Sequence, residues 1–243
     1  MSARLHALEL TTKMMSARAA LLLGATGLVG GQCLELLLHD DSYGRVVTLG
    51  RRLLPVKHEK LEQHAIDFER AGDFAELIRA QDVFCCLGTT IKKAGSREAF
   101  RKVDFDYPVR LAELALARGA EQFLLVSALG ASPRSSVFYN RVKGETEAAI
   151  AGLSFKGVQI FRPSLLLGER EEFRPGERVA EKASWLFSFL LVGSLGKYKP
   201  VQARAVAAAM LQVATENPAG VNIFESDRIR RMTEQEQFLK DER

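Results

Sequence analysis

The chain alternates short, wholly apolar runs with longer stretches of helical spacing. Ala19-Ala20-Leu21-Leu22-Leu23 has no polar position and stops at Gly24, as a strand buried on both faces should. Leu28–Leu38 follows at helical spacing and ends at Asp40-Asp41. Val46–Leu49 predicts a second strand, closed by Gly50, and a short third begins at Ala65-Ile66. Phe74–Arg79 reads as helix and Asp82–Leu87 as strand, before a loop that carries Gly88 and Gly95. Ala99–Arg118 is helical in pattern, with Pro108 either kinking it or marking a first turn. Phe123–Ser127 and Val158–Phe161 predict strands on either side of a helix over Tyr139–Ala151.

Strands that alternate with helices argue for stacked βαβ units and a mostly parallel sheet. Right-handed crossovers make it an α/β, doubly wound parallel sheet, the Rossmann fold, which takes ligands beyond the carboxyl ends of its strands. From about residue 166 the alternation lapses, which predicts a small C-terminal cap at about 166–200. Trp185, Phe187, Phe189 and Leu190 either line an apolar pocket in that cap or pack as ordinary core. The expected organisation is an N-terminal extension at 1–17, one folded domain at 18–230 and a tail at 231–243. Met-Ser-Ala-Arg occurs at 1–4 and again at 15–18, so Met15 is an alternative start. Glu9 and Thr11-Thr12 interrupt any apolar leader segment.

Gly24-Ala25-Thr26-Gly27-Leu28-Val29-Gly30 lies between the first strand and the first helix. Glycines there permit a tight turn and let backbone N–H groups approach a pyrophosphate at the positive end of a helix. A triplet of glycines alone is a turn; its place after a buried strand points to a dinucleotide. An NAD site usually puts a carboxylate at the end of the second strand for the ribose 2′-hydroxyl. This strand ends in Gly50-Arg51-Arg52 instead, and a guanidinium matches a 2′-phosphate. NADP(H) is therefore the expected cofactor. Asp67, at the end of the third strand, either accepts from an adenine amino group or caps the helix after it.

Ser127 ends the fifth predicted strand, and Tyr139 and Lys143 share a helix face at i and i+4. A phenol of pKa about 10 is a poor acid at neutral pH, and an adjacent ammonium lowers that value. Tyr139 would then give a proton to a developing alkoxide while Ser127 holds the carbonyl. A surface tyrosine beside a solvated lysine is the alternative for such a pair.

With this set in hand, the chain resembles the atypical short-chain dehydrogenase/reductases, and more narrowly the Tat-interacting-protein family of oxidoreductases. The residues that carry the resemblance are Phe84-Cys85-Cys86-Leu87-Gly88-Thr89-Thr90, Lys93-Ala94-Gly95, Val142-Lys143-Gly144-Glu145, Arg162-Pro163 and Arg174-Pro175-Gly176-Glu177. It spans roughly residues 18–215. It implies NADPH binding through Gly24, Thr26, Gly27, Gly30, Arg51 and Gly88, with nicotinamide contacts from Lys143 and the Pro163–Leu165 turn. Leu28, Val29, Arg52, Asp67, Leu87, Thr89 and Ser164 complete the expected cofactor set. One departure stands out: many short-chain reductases use an Asn to support a proton-relay water, and this chain has Asp104, which accepts but cannot donate as an amide does.

Composition enters mainly by exclusion. The 34 Lys and Arg against 30 Asp and Glu leave a net charge of +4 over 243 residues, too little for a nucleic-acid partner without a local cluster. Four histidines and three cysteines show no metal-ligand spacing, and Cys85-Cys86 read as buried small side chains. That cysteine usage predicts a reducing, cytoplasmic compartment. Ala183–Leu195 is the most apolar run, shorter than the roughly 20 residues a bilayer crossing takes, so no membrane span is expected. The leading expectation is an NADPH-dependent reductase of a small or apolar carbonyl compound, acting as monomer or homodimer. A non-catalytic NADPH-binding regulator that docks a protein partner is the second, and a nucleotide-sugar epimerase, for which the C-terminal part looks short, the third.

Overall fold

The computed structural model describes residues 17–168 and 198–241. The N-terminal half holds β1 (Arg18–Leu23), α1 (Leu28–His39), β2 (Tyr43–Gly50), β3 (Leu61–Ala65), a 3₁₀ segment (Phe68–Leu77) and β4 (Asp82–Cys85). After it come α2 (Ile91–Ala94), α3 (Arg97–Arg101), a π turn (Lys102–Asp106), α4 (Tyr107–Ala117), β5 (Gln122–Val126), α5 (Phe138–Ala151) and β6 (Gly157–Arg162). The chain closes with β7 (Leu166–Leu167), β8 (Val201–Gln202), α6 (Ala203–Glu216), β9 (Gly220–Glu225) and α7 (Ser226–Asp241). Seven of the strands form one sheet, all parallel, in the order β3-β2-β1-β4-β5-β6-β9. The order reverses between β1 and β4, and that crevice is where a doubly wound sheet takes its ligand.

The absence of polar residues in β1 follows from its central place. Ala20 and Leu22 face a core shared with α1 and α6, while Leu21 and Leu23 face one shared with α4 and the 3₁₀ segment. Each fully buried leucine stabilises the fold by about 2 kcal/mol. At the start of the sheet the buried Asp82 accepts from Arg18 Nε and NH2 at 2.6 and 2.5 Å, from the Tyr43 hydroxyl at 2.7 Å and from Gln122 Nε2 at 3.1 Å. Four strands are tied there through one carboxylate.

Three elements differ from the sequence pattern. The third strand ends at Ala65 rather than starting there, because Leu61–Ala65 is a half-exposed edge strand without an apolar run. The helix expected at Phe74–Arg79 is a 3₁₀ segment that begins earlier and breaks at Arg70. The single helix expected over Ala99–Arg118 is three pieces, with the π turn between α3 and α4. Pro108 sits in the first turn of α4 and has no N–H to give to the Asp104 carbonyl four residues back. Thr146 Oγ1 donates to that carbonyl instead, at 2.7 Å. Past the lapse in alternation, α6 and β9 rejoin the main layers; β9 escapes the pattern because its Val221 and Ile223 lie exposed on an edge strand. Most of the expected cap, with Trp185, Phe187, Phe189, Leu190 and Arg174–Glu177, lies outside the described residues, as do residues 1–16. Among the described residues no helix is long and apolar enough to cross a membrane.

Candidate functional site

The three loop glycines divide their work. Gly24 has φ +83°, and a Cβ there would lie 2.6 Å from the Cys86 carbonyl oxygen, so only glycine makes the turn against β4. A Cβ on Gly30 would lie 2.1 Å from Gly24 O, so Gly30 is what lets α1 pack onto the loop. Gly27 is different: it is exposed, has an ordinary extended backbone, and starts α1 without a side chain to cap the first turn. No acidic residue stands in that turn either. The first-turn N–H groups are thereby left for an external anion. Thr26 is exposed beside them and Leu28 half-buried, whereas Val29 is buried in the core and offers a ligand only its backbone.

Arg51 and Arg52 are exposed directly after β2, and neither is paired with a carboxylate among the described residues. Asp67 caps the 3₁₀ segment, its Oδ1 accepting from Glu69 N at 3.0 Å, which is one of the two roles its position allows. Leu87, Gly88 and Thr89 follow β4 on the other side of the crevice, with Gly88 exposed. The Pro163 carbonyl accepts from Leu129 N, and the Leu165 carbonyl from Val201 N. Ser164 gives its N–H to Ser226 Oγ and its hydroxyl to Lys199 O, so both its donors are used inside the protein.

Lys143 lies beneath Gly88. A Cβ on Gly88 would come 3.5 Å from Lys143 Nζ and 3.4 Å from Asp104 Oδ1, so it is glycine backbone that covers the pair there. Nζ stands 2.8 Å from Asp104 Oδ1, with 8% of the lysine side chain and none of the aspartate exposed. Asp104 Oδ2 accepts from Thr89 N at 2.8 Å. Burial alone would depress the Lys143 pKa; the charges of Asp104 and Tyr139 outweigh it and hold the ammonium above the usual lysine value. Tyr139, one helical turn away, packs its ring at a tilt against Phe100, with centroids 5.5 Å apart, and lines a cavity of about 570 Å³. Leu129, Asn140, Arg162, Pro163 and Tyr198 share that cavity. Ser127 leads into Ala128–Gly130 on the same wall, and its buried Oγ has no hydrogen-bond partner among the described residues.

Sequence reasoning missed two partners of this helix face. The sequence presents Asp104 as a substitute for a water-holding amide; in the fold its Oδ2 accepts from Thr89 N and its Oδ1 pairs with the Lys143 ammonium. Glu147, one further turn beyond Lys143, makes a two-point pair with Arg162 at 2.9 and 2.5 Å. The i, i+4, i+8 spacing of Tyr139, Lys143 and Glu147 was the available signal. The cysteines also sort differently: Cys86 Sγ faces Cys33 Sγ at 3.9 Å, while Cys85 is wholly buried, with its thiol pushed up to about 12. Among the described residues no group of three or more acidic, histidine or cysteine side chains gathers as a metal site would require.

A glycine cradle at the switch point of a parallel sheet defines a nucleotide-binding α/β protein. The model of the NAD(P)H-binding family matches residues 24–152, and the chain belongs to that family. Within it, the chain is 41% identical to protein HTATIP2 of Rattus norvegicus over 172 residues, covering 69% of this chain and 71% of that protein. It is 33% identical to the protein FMP52, mitochondrial, of Candida albicans over 208 residues, covering 83% and 88%. The structure of MoeE5 in complex with UDP-glucose and NAD superposes with a TM-score of 0.65 at 16% identity, over 85% of this chain and 75% of that one, which shows a shared fold. The resemblance to the Tat-interacting-protein family is thus confirmed.

The cytoplasmic expectation is corrected: several FMP52 relatives carry the word mitochondrial in their names. Free cysteines argue only against an oxidising compartment and do not choose among reducing ones.

Proposed function

We propose that the protein is an NADPH-dependent reductase of a small or apolar carbonyl compound, with Tyr139, Lys143 and Ser127 as its catalytic set. The observation that carries this reading is the buried, charged Lys143 under Gly88, one helical turn from Tyr139 at the carboxyl ends of the strands. When bound, the reduced nicotinamide supplies a hydride to the carbonyl carbon. Gly24, Gly27 and the first turn of α1 hold the pyrophosphate, and Arg51 and Arg52, unpaired among the described residues, meet a 2′-phosphate, which favours NADP(H) over NAD(H).

The chain's own residues supply the rest. The Lys143 ammonium lies one helical turn from Tyr139 on the same face of α5, a positive charge beside the proton donor. Tyr139 can therefore give its proton to the carbonyl oxygen as negative charge develops on it. The Ser127 hydroxyl donates a hydrogen bond to the same oxygen, which gives that buried group the partner it lacks among the described residues. The substrate is a small molecule that enters the cavity walled by Leu129 and Pro163.

NADPH oxidation followed against a panel of aldehydes and ketones tests this. Tyr139→Phe should bind NADPH as wild type does and lose turnover by roughly 10²–10⁴-fold. A wild type no faster than Tyr139→Phe on every carbonyl would overturn the catalytic reading.

A further inference from the structure

Asp104 joins three parts of the candidate site. Its Oδ1 meets Lys143 on α5, its Oδ2 accepts from the Thr89 N–H after β4, and its backbone carbonyl accepts from Thr146 on α5. The π turn that carries it lies one helical turn before Pro108, and widening the helix there brings its side chain inward until none of it is exposed. A carboxylate and an ammonium this buried cost solvation, which a purely structural contact between apolar side chains would avoid. Gly88 lies over the pair, where a Cβ would touch both charged groups, 3.4 Å from Asp104 Oδ1 and 3.5 Å from Lys143 Nζ.

We propose that Asp104 is a positioning residue: it fixes the Lys143 ammonium against the Gly88–Thr89 turn, so that the site offers a preset positive donor to the nicotinamide end of the dinucleotide. This rests on the dinucleotide reading above. The ammonium has three donors, and one directed to Asp104 leaves two for ligand and for Tyr139. The titratable groups that act on Lys143 are Asp104 from the π turn, Tyr139 from its own helix and Cys85 from β4. Asp104 is the one carboxylate among those three. Without that charge, burial weighs more heavily against the protonated lysine, which loses its proton more readily as pH rises.

The test is the affinity for NADPH between about pH 7 and about pH 9.5 in wild type, Asp104→Asn and Asp104→Glu. Wild type should hold a nearly constant affinity across that range. Asp104→Asn should weaken by roughly tenfold or more as pH rises, and Asp104→Glu should restore the flat profile. An Asp104→Asn protein that is flat, whether at wild-type affinity or uniformly weaker, overturns the proposal while leaving the dinucleotide reading intact. A wild type that binds neither NADPH nor NADH overturns both. Should Asp104→Asn not fold, Lys143→Met gives the same answer without ligand. It strands a buried carboxylate whose folded pKa must rise, so its stability deficit against wild type should be small at about pH 5 and grow toward about pH 8. A deficit that stays the same over that range contradicts the coupling.

Discussion

β4 has a buried carboxylate near each end, and the two are used differently. Asp82, its first residue, receives four donors from Arg18, Tyr43 and Gln122, which lie on β1, β2 and β5. Asp104 reaches Thr89, four residues past the last residue of β4, and takes its cation from a helix. At the Asp82 end the carboxylate is saturated by side chains of rigid sheet, and no candidate site residue lies there. At the Asp104 end the pair sits under a bare glycine, and the same end holds an uncapped helix start, a serine hydroxyl without a partner among the described residues, and an open cavity. The same charge chemistry is a clasp where its partners close around it and a candidate site where they leave donors over. Orientation decides which: a parallel sheet directs its crossovers so that the crevice opens only at the carboxyl ends.

The sharpest way to break this contrast is to remove the clasp. Asp82→Ala leaves Arg18, Tyr43 and Gln122 without their shared acceptor and should cost about 3 kcal/mol or more of stability. Denaturant unfolding would read the loss, while the molecules that remain folded should bind dinucleotide as before. Unchanged stability would mean that the Asp82 network is no clasp.

At the opposite end, Gly27→Val should do the reverse. Its backbone suits any residue, and the added Cβ needs only a small shift of Gly24 O, now 3.2 Å away. The fold should persist, while the branched side chain fills the space before the first-turn N–H groups of α1. A fall in dinucleotide affinity of roughly 100-fold, about 2.7 kcal/mol, is expected by fluorescence titration. Retained affinity in a folded variant would remove the glycine loop from the site.

The contrast also marks what could be read from the sequence. β1 is legible because a central strand is apolar on both faces, and the Gly24–Gly30 loop because its spacing lies between such a strand and a helix. Tyr139 and Lys143 are legible because one helix face repeats locally. Edge strands β3 and β9 are not, since half of each faces outward and carries no apolar run. Nor is the Asp104–Lys143 pair, which joins residues 39 apart in the chain through a π turn that ordinary helical periodicity does not encode. The Arg162–Glu147 pair escapes for the same reason: it links a helix to the end of a strand, and only the folded chain brings the two together.

The measurement that bears most directly on the carboxyl-end assignment is the titration of wild type with NADPH and with NADH under identical conditions. Arg51 and Arg52 after β2, unpaired among the described residues and with no acid at that strand end, predict that NADPH binds at least about tenfold more tightly, a gap of about 1.4 kcal/mol. Equal affinities would contradict the role given to the two arginines, and failure to bind either dinucleotide would contradict the site as a whole.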